Sequence, residues 1–325
     1  MRPWLSLIVV VCWFGCDAEL APTPVVAQGA VGTAAEPQED EPVEPADDTS
    51  DAEPIHVRFE GDVDAKPDSW TLVLSRIIFI PEEVPLQVVD GFNLDGLVSD
   101  GSTEAGCYQA DLESTDGEPG IDNHFASILP VLRSTQVGAV ETLIQNSIDE
   151  GTHLLFLELN GVDDRVNDDS VTVRFRTGYG DALLGTDGML LAHQTFHLHE
   201  DSPDTDMPGA ELIDGVLHIG PFDCAVAAKV FGVVYELPVY GARIRAVLGP
   251  DGGIESGLLG GGIPVQAFVD LAEEVDPGHG SLWQDIQLFV ALLGDWDQDG
   301  DGVCELESMA TRITGIPAYF FPEAR

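Results

Sequence analysis

Four aspartates alternate at positions 295, 297, 299 and 301, in Asp295-Trp296-Asp297-Gln298-Asp299-Gly300-Asp301-Gly302-Val303-Cys304-Glu305-Leu306-Glu307. Two carboxylates ~5 Å apart repel by roughly 3 kcal/mol at an effective dielectric near 20, so a loop with several such pairs springs open unless a cation sits among them. Alternate oxygen donors suit a hard divalent ion, and calcium takes about six to eight oxygens in flexible geometry. With Asp297 in first place, Asp299 and Asp301 fill the third and fifth. Gly302 then falls sixth, where the backbone must turn sharply. Val303 offers its carbonyl at the seventh place and Glu305 its carboxylate at the ninth, directly or through water. The spacing therefore predicts a calcium site built from Asp297, Asp299, Asp301, Val303 and Glu305. Starting from Asp295 would put Leu306 twelfth, which is worse chemistry. The bland alternative is a solvated acidic turn.

Over about a dozen residues this loop resembles the DxDxDG calcium loops of EF-hands, dockerins and thrombospondin type 3 repeats. It departs from the EF-hand at the twelfth place, where Ser308 stands instead of a bidentate glutamate and Glu307 lies one residue off. Losing that ligand implies affinity in the weak, extracellular range of about 10⁻⁴–10⁻³ M. The flanks must position the loop. Ser281 and Gln284 form a capping box, Leu282, Trp283, Ile286, Phe289, Val290 and Leu293 recur at helical spacing, and Gly294 stops the helix. Behind the loop, Met309, Thr311 and Ile313 alternate as a closing strand. Helix-loop-strand is half an EF-hand, which favours a structural ion over a calcium sensor.

A second metal loop is suggested by Asp111, Asp116, Glu118 and Asp122, against an equal alternative of a Pro-Gly turn leading to an Asp122 N-cap. His193, His197 and His199 fall on one face of one strand, with His218 as a further candidate whose distance the sequence does not fix, and a His-x-His pair on a strand can bind zinc. Histidines on a solvated face are the commoner arrangement. The run Gly257–Gly262 lacks the helix that a phosphate loop needs and reads as turn glycines. No GxSxG elbow or HExxH helix occurs. Arg174, Arg176, Arg243 and Arg245 alternate on strands, where pairing with acids across the sheet is their simplest use. The acidic run 163–169 reads as a solvated turn.

The chain has 325 residues, 44% of them hydrophobic, enough for one large domain or two small ones. A formal charge of −45 with only 13 Lys plus Arg argues against nucleic acid and anionic lipid surfaces as partners. Arg2, the apolar run from Trp4 to Phe14, and Gly15-Cys16 read as an export signal over 1–15, too short to span a bilayer. The Gly15-Cys16 pair resembles the lipobox of bacterial lipoproteins, which implies that Cys16 is lipidated; Trp13 and Phe14 are bulkier than that pattern prefers. Residues 17–55 hold 11 Asp plus Glu, six Pro and no Lys or Arg. They predict an extended, self-repelling tether. Anchor, tether and loop together resemble acidic Gram-negative envelope lipoproteins. The resemblance implies a bilayer as partner through the anchor, together with an envelope or extracellular ligand.

Of the five cysteines, Cys12 lies in the signal and Cys16 would carry lipid, leaving Cys107, Cys224 and Cys304. An oxidising compartment allows them one bridge and one spare thiol. Cys107 with Cys304 is the favoured pair, because each adjoins an acidic loop. Alternation at Leu155, Leu157 and Leu159 and at Val171, Val173 and Phe175 predicts strands, and further strand signals run through 190–199, 211–219, 224–235, 240–248 and 254–260. Short helices are predicted around Phe125–Leu129, interrupted by Pro130, and from Val137 to Ile148. A third is predicted from Pro264 to Ala272. The expectation is a single β-rich α+β domain over 56–325, an antiparallel sandwich or barrel with two short helical pairs. A calcium-stabilised, lipid-anchored binding or structural module is the first functional expectation. The alternative is an exported hydrolase using the histidine strand or a carboxylate pair.

Overall fold

The computed structural model describes residues 69–321 apart from 82–86, 135–138, 205, 208–209, 231–232 and 291. The expected signal, Cys16 and the acidic tether lie outside the described residues. Within them run β1 (Ser69–Phe79), β2 (Leu112–Glu113), β3 (Pro119–Ile121), α1 (Phe125–Leu132), α2 (Val140–Asp149), β4 (Leu154–Asn160), β5 (Thr172–Tyr179) and β6 (Gln194–Leu198). The chain continues through β7 (Asp206–Met207), β8 (Glu211–Ile213), β9 (Val216–Val230), β10 (Val233–Leu248) and β11 (Ile254–Pro264). It ends with α3 (Val265–Val275), α4 (Ser281–Val290) and β12 (Leu306–Phe320).

The fold is α+β and β-rich, a large sheet folded into a sandwich-like body with two helical pairs. β12 is its spine. It pairs antiparallel with β11 on one side and β1 on the other, Thr71 standing opposite Ala318 and Phe79 opposite Thr311. Its last residues, Ala318–Phe320, run parallel to Gln194–Phe196 of β6. Because β1 also pairs with β4, and β4 with β5 and β5 with β6, these five strands close a ring. The wing β11-β10-β9-β8 continues from β12. Hence the sheet is mixed rather than purely antiparallel.

Period-two patterning explains the strands. On β10, Ala242, Ile244 and Ala246 are buried while Arg243 and Arg245 face outward. β1 is different: Leu72, Val73 and Leu74 are all fully buried, as befits a strand covered on both faces. The apolar run 224–235 is divided between two strands, with Val230 paired to Val233. An unbroken apolar run carries no period that would mark such a break. Pro130 lies within α1, which runs on to Leu132. In an eight-residue helix its missing N–H removes a single hydrogen bond.

The four helices lie over one face of the sheet. Phe125, Leu129 and Leu132 of α1, Phe289 of α4 and Phe79 of β1 form a satellite core there. Its packing is incomplete, leaving an apolar cavity of about 150 Å³ between helices and sheet.

Candidate metal centre

The acidic loop is cut from the chain at two points. After α4, Gly294 adopts φ +96°, and a Cβ there would lie 2.5 Å from the Cys304 carbonyl oxygen, so only glycine fits. Two residues on, Trp296 pairs with Leu306 through backbone hydrogen bonds in both directions. The Trp296 ring is buried with Leu94 and Leu306. A Cβ on Gly262 would sit 2.6 Å from that ring, so this glycine makes room for it, and Gly260 makes room for Phe92 in the same way. The glycine run therefore lies inside β11 and serves close packing; it is not a turn.

Between these ends, Asp297 organises the loop. Its Oδ1 accepts from the N–H groups of Gly300 (2.8 Å) and Asp301 (3.2 Å), and its Oδ2 from Gly302 (2.8 Å). Gly300 and Gly302 have φ of +75° and +89°, which lets successive N–H groups turn inward. Asp297, Asp299 and Glu305 each place one carboxylate oxygen so that all three lie within 4.8 Å of one another. Asp301 stands outside this trio and accepts from the Val303 N–H at 2.8 Å, while the Val303 side chain is exposed. Glu305 Oε1 accepts from the Gln298 N–H at 3.1 Å. Its Oε2 is buried and, among the described residues, meets no hydrogen-bond donor. Such an oxygen costs free energy unless something positive meets it.

Two groups near the loop were not signalled by its spacing. Glu104 Oε1 lies 3.4 Å from where a Cβ on Gly302 would stand. It is carried there by the segment 99–110, and a disulfide joins Cys107 of that segment to Cys304, with Cα atoms 5.9 Å apart. Cys224 is free and half-buried. The second group is His124, Asp295 and Glu307. His124 Nδ1 lies 3.1 Å from Glu307 Oε1, and Glu307 Oε2 accepts from the Gly294 N–H at 2.7 Å. Asp295 accepts from the Ser308 N–H at 2.6 Å and from the Ser308 hydroxyl. Burial, and then the charge of Glu307, push the Asp295 carboxyl up to about 7. Each carboxylate here already has protein partners. The trio is read as a polar clamp joining the end of α4, the root of the loop and the start of α1. This also explains why neither Ser308 nor Glu307 turns toward the loop.

Asp111, Asp116, Glu118 and Asp122 do not converge to metal-ligand distances. Asp116 and Glu118 are exposed on the β2–β3 turn, where their N–H groups donate to the Ser114 hydroxyl. Asp122 is buried and accepts from the N–H groups of Leu94 and Asp95. Burial first, and then the charge of Asp95, push its carboxyl up to about 8. Asp111 accepts from the Ser99 N–H at 2.6 Å. Asp111 and Asp122 hold the preceding 94–99 stretch in place, across 12 to 28 residues of chain.

The histidines are dispersed. His193 precedes β6 with φ +63° and stands near Tyr319, rings 6.0 Å apart. His197 stacks between Tyr179 and Phe321, at 5.4 and 4.4 Å, whereas His199 lies against His153 and Tyr179. His218 is on β9, opposite Arg245. Three of the four strand arginines pair with acids or backbone, Arg174 with Asp206, Arg176 with Glu158 and Asp204, and Arg243 with the Asn93 carbonyl, whereas Arg245 lies over the Phe92 ring at 5.7 Å. Asp168, in the acidic run, is buried and accepts from the N–H groups of Asp163, Asp164 and Ser170, so that turn is built around a carboxylate rather than merely solvated.

Compared with family models, with curated proteins and with solved structures, the chain finds no match.

Proposed function

We propose that this chain is a lipid-anchored protein of the bacterial cell envelope whose folded domain is locked by one structural calcium ion. It serves as a binding or structural module rather than as a catalyst. The observation that carries this is Glu305 Oε2, buried without a donor at the edge of a loop where oxygens of Asp297, Asp299 and Glu305 lie within 4.8 Å. A divalent ion among these oxygens gives the buried one its partner and removes the repulsion of the other two. Asp301, the Val303 carbonyl and water complete the shell. Glu104 adds negative charge near Gly302.

Structural rather than sensing use follows from the flanks. A disulfide, a two-way backbone pair and the His124–Asp295–Glu307 clamp hold the root of the loop, leaving no hinged second helix to swing. Calcium closes a rigid corner where α4 meets β12. The lipid on Cys16 and the acidic tether hold this domain off the bilayer, facing an envelope or extracellular ligand.

Equilibrium dialysis of the full chain against calcium tests the proposal. One equivalent should bind in the millimolar to sub-millimolar range, and Asp297→Asn should weaken binding at least tenfold. No saturable binding, or binding untouched by this substitution, would refute it.

A further inference from the structure

The cavity beneath the helices is walled on one side by Ile77 of β1 and Val226 and Leu237 of the wing, and on the other by Leu129, Ile144 and Phe268 of the helices. Its volume is about 150 Å³. An apolar cavity of similar size engineered in another protein stays dry and admits benzene or xenon. Water is a poor occupant, since it needs about two to four polar partners. The two hydroxyls on this wall are already committed, Tyr235 donating to the Ala267 carbonyl at 3.0 Å and Thr311 to the Leu259 carbonyl at 3.3 Å. Among the described residues, Glu141 is the one carboxylate on the wall, and it pairs with Arg133 at 3.1 Å. That carboxylate, in a chain of charge −45, disfavours an anionic amphiphile. Meanwhile Ile144, Val226, Leu237 and Phe268 remain only half-buried, so the fold leaves apolar surface uncovered that an occupant would cover.

We propose that this cavity is a binding site for a free, neutral, wholly apolar ligand, a hydrocarbon ring or chain end on the order of six to ten carbon atoms. Recognition is by shape and dryness alone. The ligand gains by leaving water, and no polar group of the wall must lose a partner to admit it. The inference goes beyond the calcium reading and does not depend on it. Cys224 supplies a reporter because its thiol lies on the wall; burial pushes it up to about 12, so its reaction through the thiolate is slow and is followed at alkaline pH.

The test uses the purified full chain with benzene as probe and benzoate as its charged counterpart. Benzene near saturation should raise the melting temperature by about 2–4 °C, and benzoate should not. Benzene should also slow modification of Cys224 by methyl methanethiosulfonate several-fold, read by peptide mass. Val226→Phe, which fills the cavity, should abolish the benzene shift while keeping the calcium shift. If that variant does not fold, the protection of Cys224 in the wild type still decides. Absence of both the shift and the protection, or an equal shift with benzoate, would overturn the proposal. So would a benzene effect confined to Cys16→Ser, since the cavity would then belong to the chain's own acyl group.

Discussion

Trp296 and Leu306 each donate a backbone N–H to the other's carbonyl, both at 3.1 Å. This pair closes the neck of the acidic loop, and the buried indole of Trp296 holds it in place against Gly241 and Gly262. Gly262→Val should force the ring out of its seat. Overpacking of this kind costs about 1–3 kcal/mol, and calcium affinity should fall with it because the ends of the loop are no longer fixed. Urea unfolding and calcium titration measure the two effects. A variant as stable as wild type, with unchanged affinity, would show that the neck does not position the loop.

The disulfide between Cys107 and Cys304 spans a sequence separation of 197. In the chain-entropy model a closed loop of that length contributes about 5 kcal/mol. Replacing both cysteines by serine should lower stability by up to that amount. It should also weaken calcium binding, since Glu104 and Glu305 lose their fixed relation. Denaturant midpoints of the paired variant with and without calcium provide the check; an unchanged calcium shift would confine the bridge to stability.

Asp168 gives a pH signature. Hydrogen bonds from the Ser170 and Asp163 N–H groups hold its carboxyl down to about 2, against an ordinary 3.8. The folded value is the lower one, so the stabilisation is present above pH 3.8 and is lost as pH falls toward about 2. Asp168→Asn should flatten acid unfolding in that window. Asp168→Ala, which leaves several donors unpaired, should cost about 2–3 kcal/mol at neutral pH. An identical acid profile in the asparagine variant would remove Asp168 from the account.

The anchor is tested by Cys16→Ser. Acyl chains contribute about 0.8 kcal/mol per buried methylene, so more than one holds a protein firmly on a bilayer. The variant should move from the membrane to the soluble fraction. Wild-type protein that is already soluble, and whose mature chain begins elsewhere, would contradict the lipoprotein reading.

Strands and helices with clean periodicity are legible in the sequence because one face of each meets the core. Val173 and Phe175 on β5 and Ala242, Ile244 and Ala246 on β10 turn inward, whereas β4 is covered on both faces, with Leu154 and Phe156 buried as fully as Leu155, Leu157 and Leu159. Alternating aspartates likewise mark the acidic loop. Which oxygens converge is another matter. Asp301 bonds to Val303, while Glu104 arrives from about two hundred residues away through the fold. The same long-range origin hides the partnership of Asp122 with Leu94 and Asp95. Spacing suggests that His193, His197 and His199 share a face, but the positive φ of His193 takes it off the strand. The glycine run misleads because a glycine marks missing side-chain volume, and the sequence does not say whether a turn or an indole needs that room.

Thermal melting of the full chain with and without calcium reports whether the acidic loop holds an ion that the fold depends on. A ligand that binds only the folded state, at ten times its dissociation constant, stabilises by about 1.4 kcal/mol. For a domain of this size that is a rise of roughly 2–4 °C. Calcium should produce it at millimolar concentration, and magnesium should produce less, because the smaller ion demands a tighter octahedron and keeps its waters. Asp299→Ala should abolish most of the rise, whereas Asp301→Asn should keep more of it, since Asp301 stands outside the converged trio. A wild-type melting curve unmoved by chelation and by added calcium would contradict the account, leaving the loop an acidic turn.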